Sequence, residues 1–291
     1  MRNAIKYYYG IDIEDLRYED GYYVFEKYLL VPKIRELDLK LYEYISKMNI
    51  YNYKIVLNKE NKHVTEINNN QYILLERINN YQLTVDNLIN NTVLIGKQKI
   101  NWDILWEEKL DYYEDFLRTV PSKRIKETFI YYSGLTENAI KFYKEIKSEH
   151  PVFLSHLRLN KIDYLNPVNC IVDYRARDIA EYIKTCFFND DLNKINLRYI
   201  LSNLDKTDIL ILYSRLLYPS YYYDCCEKIS NGYDEQILEL YINKIDEYEI
   251  FLKELYFDIK DMFYIPMIDW IIKKDLSYDK SIVHPYQMIE D

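Results

Sequence analysis

Glycine is scarce in this sequence, with 5 residues among 291. An average protein contains about 7% glycine. Loops that cradle phosphate groups depend on glycine, because consecutive backbone N–H groups become accessible only at unusual φ angles. The sequence contains neither a GxxxxGK[ST] loop nor a GxGxxG loop. The two common glycine-rich phosphate-binding motifs are therefore excluded.

Cysteine and histidine are also sparse and poorly placed for metal binding. The four cysteines form no CxxC pair, and the four histidines are scattered along the chain. Zinc sites and disulfide frameworks depend on characteristic spacings of these residues. The sequence therefore predicts reduced thiols, with neither a zinc site nor a disulfide framework.

Clusters of basic residues and long apolar runs are missing as well. The chain has 38 basic and 47 acidic residues, and hence a net charge of −9. An acidic surface repels phosphate backbones, which argues against general nucleic-acid binding but leaves a local basic groove open. No segment reaches the roughly 18 apolar residues of a membrane span, and the N-terminus lacks the apolar core of a signal peptide. We therefore expect a cytoplasmic protein without a membrane span.

The first 80 residues show the alternation of β-strands. Four segments have this pattern: 21–30, 53–57, 63–67 and 71–76. Polar turns separate the last three, as in an antiparallel meander. Apolar residues at helical spacing predict one helix over 33–48. The sequence thus predicts a small antiparallel sheet with one helix.

The remainder of the chain is dominated by helical periodicity. Apolar stripes predict helices near 102–117, 127–147, 177–189, 194–203, 206–217 and 234–260. Two short apolar strands interrupt this pattern, at 151–160 and 168–174, and each ends at polar or ionisable residues. We expect the chemistry of the protein to lie at this hairpin.

Several contiguous motifs lie in the second part of the chain. His156-Leu157-Arg158 followed by Asp163, together with the order of elements, resembles the H-x-D-x-x-x-x-N catalytic loop of the aminoglycoside phosphotransferase and choline kinase superfamily. The remaining similar segments are Ile171–Tyr174 (the I-D-F/W segment), Arg177–Tyr182 (the D-L-A helix start), Arg215–Ser220 and Ser133–Ala139. The last two resemble the bacterial spore-coat kinase-like branch.

This resemblance implies an α+β, bilobal protein-kinase-like fold. Residues 1–80 would form the N-lobe, with the antiparallel sheet and one helix, and 81–291 the mostly helical C-lobe. It also implies a site for ATP and Mg²⁺, since phosphoryl transfer needs oxygen ligands for the metal and a cation for the phosphates.

The resemblance assigns roles to individual residues. Asp173 would be the metal carboxylate, unless it caps the following turn, and Asp163 replaces the loop asparagine as a second candidate ligand. Lys27, expected on a strand, would bind phosphate, and its ion-pair partner would be Glu36 or Glu43. We expect His156 to be structural rather than a proton carrier. Asp178 would anchor the loop or cap its helix.

The sequence departs from the superfamily pattern at Arg158, where relatives place the catalytic aspartate. A guanidinium cannot act as a general base at neutral pH, and it repels a metal cation. Arg158 would instead pair with Asp163 or Asp173. The sequence therefore favours a pseudokinase that binds nucleotide or a partner protein. The alternatives are an active ATP-dependent phosphotransferase acting on a small hydroxylated molecule and a helical interaction protein unrelated to kinases.

Overall fold

The computed structural model describes residues 1–19, 21–33, 41, 52–80, 84–90, 93–120, 122–157, 159, 168 and 170–262. The chain forms two compact units. The sheet unit comprises Met1–Val93 and Leu154–Asp173. The helical unit comprises Leu94–Phe153 and the chain from Tyr174 onward. The segment 154–173 thus groups with the sheet unit, whereas the sequence assigns it to a lobe spanning 81–291.

The sheet unit is built on an antiparallel sheet. Its elements are α1 (Arg2–Tyr9), β1 (Arg17–Glu19), β2 (Tyr22–Phe25), β3 (Tyr28–Pro32), β4 (Tyr53–Val56), β5 (Thr65–Ile67), β6 (Asn70–Arg77) and α2 (Val85–Ile89). The strand order is β1-β2-β3-β6-β4, and β5 pairs with β6. This arrangement confirms the predicted antiparallel sheet. The predicted helix 33–48 lies outside the described residues, apart from positions 33 and 41.

Alternation along the strands gives the sheet two apolar faces. One face places Phe25, Leu30 and Leu74 against Ile5 of α1. The opposite face includes Leu29 and Ile73. Since successive strand residues point to opposite faces, neighbouring leucines serve both clusters. The central strands β3 and β6 are therefore buried on both sides.

The turns of the sheet explain one confirmed and one wrong prediction. Asn68 and Asn69, with φ angles of 51° and 63°, form the turn predicted between β5 and β6. Asparagine tolerates this left-handed region better than most residues. The predicted single strand over 21–30 is wrong, because Glu26 has a φ of 47° and reverses the chain. Phe25 consequently pairs with Tyr28 across a two-residue turn.

The helical unit carries most of the chain's α-helix. Its elements are β7 (Leu94–Gln98), α3 (Trp102–Leu117), α4 (Lys123–Tyr143), α5 (Arg175–Phe188), α6 (Leu197–Ser202), α7 (Lys206–Leu217), α8 (Ser220–Ser230), α9 (Glu239–Ile242) and α10 (Ile245–Ile259). Short 3₁₀ turns occur at 192–194, 235–238 and 260–262. Helix α4 packs against α3 and α7, and α7 packs against α5. These four helices form a central part of the core, to which α8 and α10 add buried side chains such as Tyr222 and Leu252.

The predicted helix over 234–260 is interrupted. A 3₁₀ turn, the short α9 and then α10 replace it, with a break at Asn243 and Lys244. The ammonium group of Lys244 contacts the carbonyls of Phe187 and Phe188 and lies 2.6 Å from the Asp190 carboxylate. These tertiary contacts hold Lys244 at the break, and apolar periodicity alone does not reveal them.

The predicted hairpin is present. Strand β8 spans His150–His156, strand β9 spans Cys170–Asp173, and the two are neighbours in one sheet. The first residues of β8 pair with β7. Both hairpin strands precede polar segments, as the sequence predicts.

Candidate functional site

The two hairpin strands end at residues that the sequence singles out. Strand β8 ends at His156, which is buried, and β9 ends at Asp173, whose exposed fraction is 0%. Burial of a carboxylate is costly unless hydrogen bonds or cations compensate for the lost water. The Asp173 carboxylate is therefore surrounded by protein groups rather than by solvent.

Four residues with predicted roles lie outside the described part of the chain: Arg158, Asp163, Glu36 and Glu43. Their proposed roles therefore rest on the sequence.

Lys27 lies in the turn between β2 and β3, so its predicted place on a strand is wrong. Its Nζ lies 2.5 Å from Glu76 Oε1, and Lys54 Nζ lies 2.9 Å from Glu76 Oε2. Hydrogen bonds from Lys27 and Lys54 lower the pKa of the Glu76 carboxyl. The Lys27 side chain is 56% exposed. The described partner of Lys27 is thus Glu76, a residue that the register of β3 and β6 places opposite Tyr28.

Tyr174, immediately after Asp173 in sequence, is anchored inside the helical unit. Its buried hydroxyl accepts a hydrogen bond from the backbone N–H of Ile100 at 2.8 Å and donates one to the carbonyl of Gln98 at 3.3 Å. These bonds connect the start of α5 to the segment between β7 and α3.

The next residue, Arg175, joins a buried ionic network. Arg175 Nη2 lies 2.6 Å from Asp208 Oδ2, and His150 Nε2 lies 3.1 Å from Asp208 Oδ1. Burial raises the pKa of Asp208, but the hydrogen bonds from His150 and Arg175 outweigh burial and lower it. The sequence motifs did not reveal this network, since its members are separated by 25 residues or more along the chain.

His150, Asp205 and Asp208 also have the chemistry of metal ligands, with candidate ligand atoms within 4.8 Å of one another. Each oxygen of Asp208, however, already has a protein partner, Arg175 or His150. We therefore describe the group as an ion-pair network that holds β8, α5 and α7 together.

Asp178 lies in the first turn of α5 and is buried. A carboxylate in a first turn interacts favourably with the positive end of the helix dipole. This placement is compatible with either of its predicted structural roles.

Further along α5, Lys184 is pinned by three acceptors. Its Nζ lies 3.0 Å from Glu181 Oε1, 3.0 Å from the Tyr218 carbonyl and 3.2 Å from Ser220 Oγ. Burial raises the pKa of Glu181, but Lys184 and Arg177 outweigh it and hold the pKa at about 2. Lys184 therefore links α5 to the junction between α7 and α8.

The Arg215–Ser220 segment packs against aromatic residues of α3. The Arg215 guanidinium lies 4.0 Å from the ring centroid of Trp102, within cation–π distance. Tyr218 stacks on Trp106 with centroids 4.5 Å apart and an interplanar angle of 12°. The described contacts of this segment thus stabilise the α3–α7 packing.

Comparison with solved structures defines the fold class of the protein. The aminoglycoside phosphotransferase of Alicyclobacillus acidocaldarius subsp. acidocaldarius DSM 446 has a similar fold, with a TM-score of 0.57 and 10% sequence identity. The superposition covers 90% of this chain and 97% of that phosphotransferase. Spectinomycin phosphotransferase in complex with ADP and spectinomycin matches 91% and 94%, with a TM-score of 0.48 and 14% identity. On the first of these, the fold is that of the kinase-like phosphotransferases, as predicted.

The sequence defines the family more narrowly. The family described as "Spore coat putative kinase YutH" matches residues 2–255, and the chain belongs to it. The endospore coat-associated protein YutH of Bacillus subtilis (strain 168) is 25% identical over 208 residues, which cover 59% of this chain and 61% of the relative. The match thus spans less than two thirds of that relative's length. The predicted spore-coat kinase-like branch is confirmed.

Proposed function

We propose that this protein is a pseudokinase, a kinase-fold protein that binds nucleotide or a partner protein without efficient phosphoryl transfer. The observation that carries the proposal is Arg158 at the position where the catalytic loop needs a proton acceptor. A guanidinium stays protonated and offers no acceptor. It also opposes a divalent cation at short range by charge repulsion.

Nucleotide binding is supported by the buried carboxylate of Asp173 at the end of β9. Carboxylate oxygens are preferred ligands of Mg²⁺, and Mg²⁺ would neutralise phosphate charge at such a site. Asp173 would hold the ion, Asp163 would add a second carboxylate, and Lys27 would contact the phosphates.

An active ATP-dependent phosphotransferase on a small hydroxylated acceptor is the second candidate. Asp163, which stands at the position of the loop asparagine, favours it because a carboxylate there offers a proton acceptor. In that case Asp163 would orient the acceptor hydroxyl.

We also propose association with the endospore coat, from the family and from the printed name of the Bacillus subtilis relative. This replaces the expectation of a purely cytoplasmic location. Among the described residues, every helix is too short or too polar to cross a bilayer. A fluorescent fusion in sporulating cells should form a shell around the spore, and a diffuse signal throughout the mother cell would contradict the proposal.

A thermal-shift titration with ATP, with and without Mg²⁺, tests nucleotide binding. Saturation at a hundred times Kd should stabilise the protein by about 2.7 kcal/mol. Asp173→Asn should lose the Mg²⁺-dependent part, whereas Asp258→Asn, which neutralises an exposed carboxylate, should keep it. No shift with ATP under either condition would exclude nucleotide binding and leave the partner-binding role.

A product assay separates the pseudokinase from the active enzyme. With ATP, Mg²⁺ and a panel of hydroxylated acceptors, we expect no phosphorylated product from the wild type. Arg158→Asp, which restores the acceptor carboxylate, should gain transfer. A wild-type product that disappears in Asp173→Asn would overturn the pseudokinase proposal.

A further inference from the structure

The helical unit has a groove between α3 and α8 that contains none of the residues of the proposed kinase-like site. We call it the α3–α8 groove, and its volume is about 510 Å³. Leu105, Tyr112 and Phe116 form its apolar part, and Glu108, Lys109 and Glu227 contribute charges. All of these residues belong to α3 or α8.

Part of the apolar surface of the groove is exposed to water. Leu105 is 48% exposed and Tyr112 is 58% exposed. The Tyr112 ring stacks on that of Phe116, with centroids 6.3 Å apart and an interplanar angle of 14°. Exposed apolar side chains bordered by polar residues are typical of a binding surface.

Negative charge is concentrated in the same two helices. Helix α3 carries six carboxylates and one lysine, and α8 carries two carboxylates and one lysine. Their net charge is −6, against −9 for the whole chain, and Lys144 and Arg118 from outside these two helices pair with Glu107 and Asp115. Within the described part of the chain, neither Glu108 nor Asp111 has a cationic group within 4 Å. Such a field attracts cations and repels anions.

The surroundings of the Lys109 ammonium group indicate which chemical groups the groove can bind. The ammonium group pairs with Glu227 and lies 5.1 Å from the centroid of Tyr113 and 6.0 Å from that of Tyr112. An ammonium group is thus held between a carboxylate and aromatic rings, both of which attract cations. Glu108, which lines the groove, and Asp111, three residues further along α3, remain to receive further cations.

We propose that the α3–α8 groove is a docking site for a basic segment of a partner protein. Lysine or arginine side chains of that segment would pair with Glu108 in the groove and with Asp111 three residues further along α3, and an apolar side chain would cover Leu105 and Tyr112. Charge complementarity selects a basic partner, and the exposed apolar patch selects a segment with apolar residues. This docking needs no nucleotide and is independent of the proposed kinase-like site.

The test uses the full chain and fluorescein-labelled peptides at about 0.15 M salt, where long-range attraction is largely screened. One peptide alternates lysine and leucine, and a second replaces leucine with serine at the same charge. Fluorescence anisotropy should show that the lysine–leucine peptide binds about tenfold more tightly, a difference of about 1.4 kcal/mol. Equal affinities, or no binding of the lysine–leucine peptide, would overturn the proposal.

Matched charge reversals distinguish the groove from general attraction of polycations. Glu108→Lys with Asp111→Lys should weaken lysine–leucine binding at least about tenfold. Glu254→Lys with Asp258→Lys reverses two exposed carboxylates of α10 and should change the Kd less than about twofold. Equal weakening in both variants would show that net charge alone drives binding.

Two further measurements locate the bound peptide. Tyr112→Ser should reduce lysine–leucine binding to the level of the lysine–serine peptide. Hydrogen exchange on the wild type should show protection in Trp102–Leu117 and Ser220–Ser230 when the peptide is bound. Protection confined to other helices would place the peptide elsewhere and contradict the proposal.

Discussion

The sheet unit and the helical unit stabilise charges in opposite ways. In the sheet unit, Lys27 and Lys54 pair with Glu76 at the surface, and both ammonium groups remain largely hydrated. In the helical unit, Lys184 is 4% exposed, and its partner Glu181 is 17% exposed, as Glu76 is. Water screens the first kind of pair, whereas the second depends on protein partners. Substitutions of similar chemistry should therefore have very different effects in the two units.

Loss of Lys184 should have the largest effect. Lys184→Met leaves the largely buried carboxylate of Glu181 without its paired ammonium group, and it leaves the Tyr218 carbonyl and the Ser220 hydroxyl without the Lys184 donor. Breaking a buried ion pair costs about 3–5 kcal/mol. Urea denaturation should show this loss for Lys184→Met but not for the exposed Lys228→Met. A loss below about 1 kcal/mol would mean that the two units do not differ as described.

The pH dependence of stability should identify Glu181 as the partner of the buried Lys184. Its pKa is lowered from 4.5 to about 2 in the folded state, so it stabilises the fold above pH 4.5 and loses this contribution as the pH falls towards 2. The contribution is of the order of 3 kcal/mol. Unfolding measured across this range should be steeper in pH for the wild type than for Glu181→Gln. The same slope in both proteins would rule out this role.

A neutral anchor in the helical unit should have an intermediate effect. Tyr174→Phe removes the hydroxyl that bridges Ile100 and Gln98 and leaves these backbone groups without that partner. An unsatisfied buried polar group costs about 1–3 kcal/mol. Tyr233→Phe, at an exposed tyrosine, is the matched control for urea denaturation. Equal stabilities of the two variants would show that water replaces the Tyr174 hydroxyl.

Elements of the fold are predictable from the sequence where their apolar pattern is strong. The two hairpin strands are predictable because, in each strand, a run of apolar residues is followed by polar residues. Helix α1 has one buried side chain, Ile5, and β1 has none, so neither leaves a clear apolar pattern. The turn at Glu26 uses a positive φ in a residue that does not signal it.

Sequence motifs indicate candidate site residues only where the signal is local. The motifs around His156 and Asp173 are contiguous, and the similarity to a solved phosphotransferase structure confirms the kinase-like fold that they indicate. The partnership of Arg175 with Asp208, in contrast, joins residues 33 apart, and it depends on how α5 packs against α7. Sequence spacing carries no record of such tertiary pairs.

Substitution of Lys27 should have the smallest effect on stability and gives the clearest contrast with Lys184. Lys27→Met removes an exposed ammonium group, and Lys54 still pairs with Glu76, so urea denaturation should show no measurable change. If Lys27 contacts phosphate as proposed, however, this variant should lose the thermal shift produced by ATP. Lys33→Met is the matched comparison, since Lys33 follows β3 and its Nζ donates to Gln71 at 3.1 Å. Loss of the ATP shift in Lys33→Met alone would transfer the phosphate-binding role from Lys27 to Lys33.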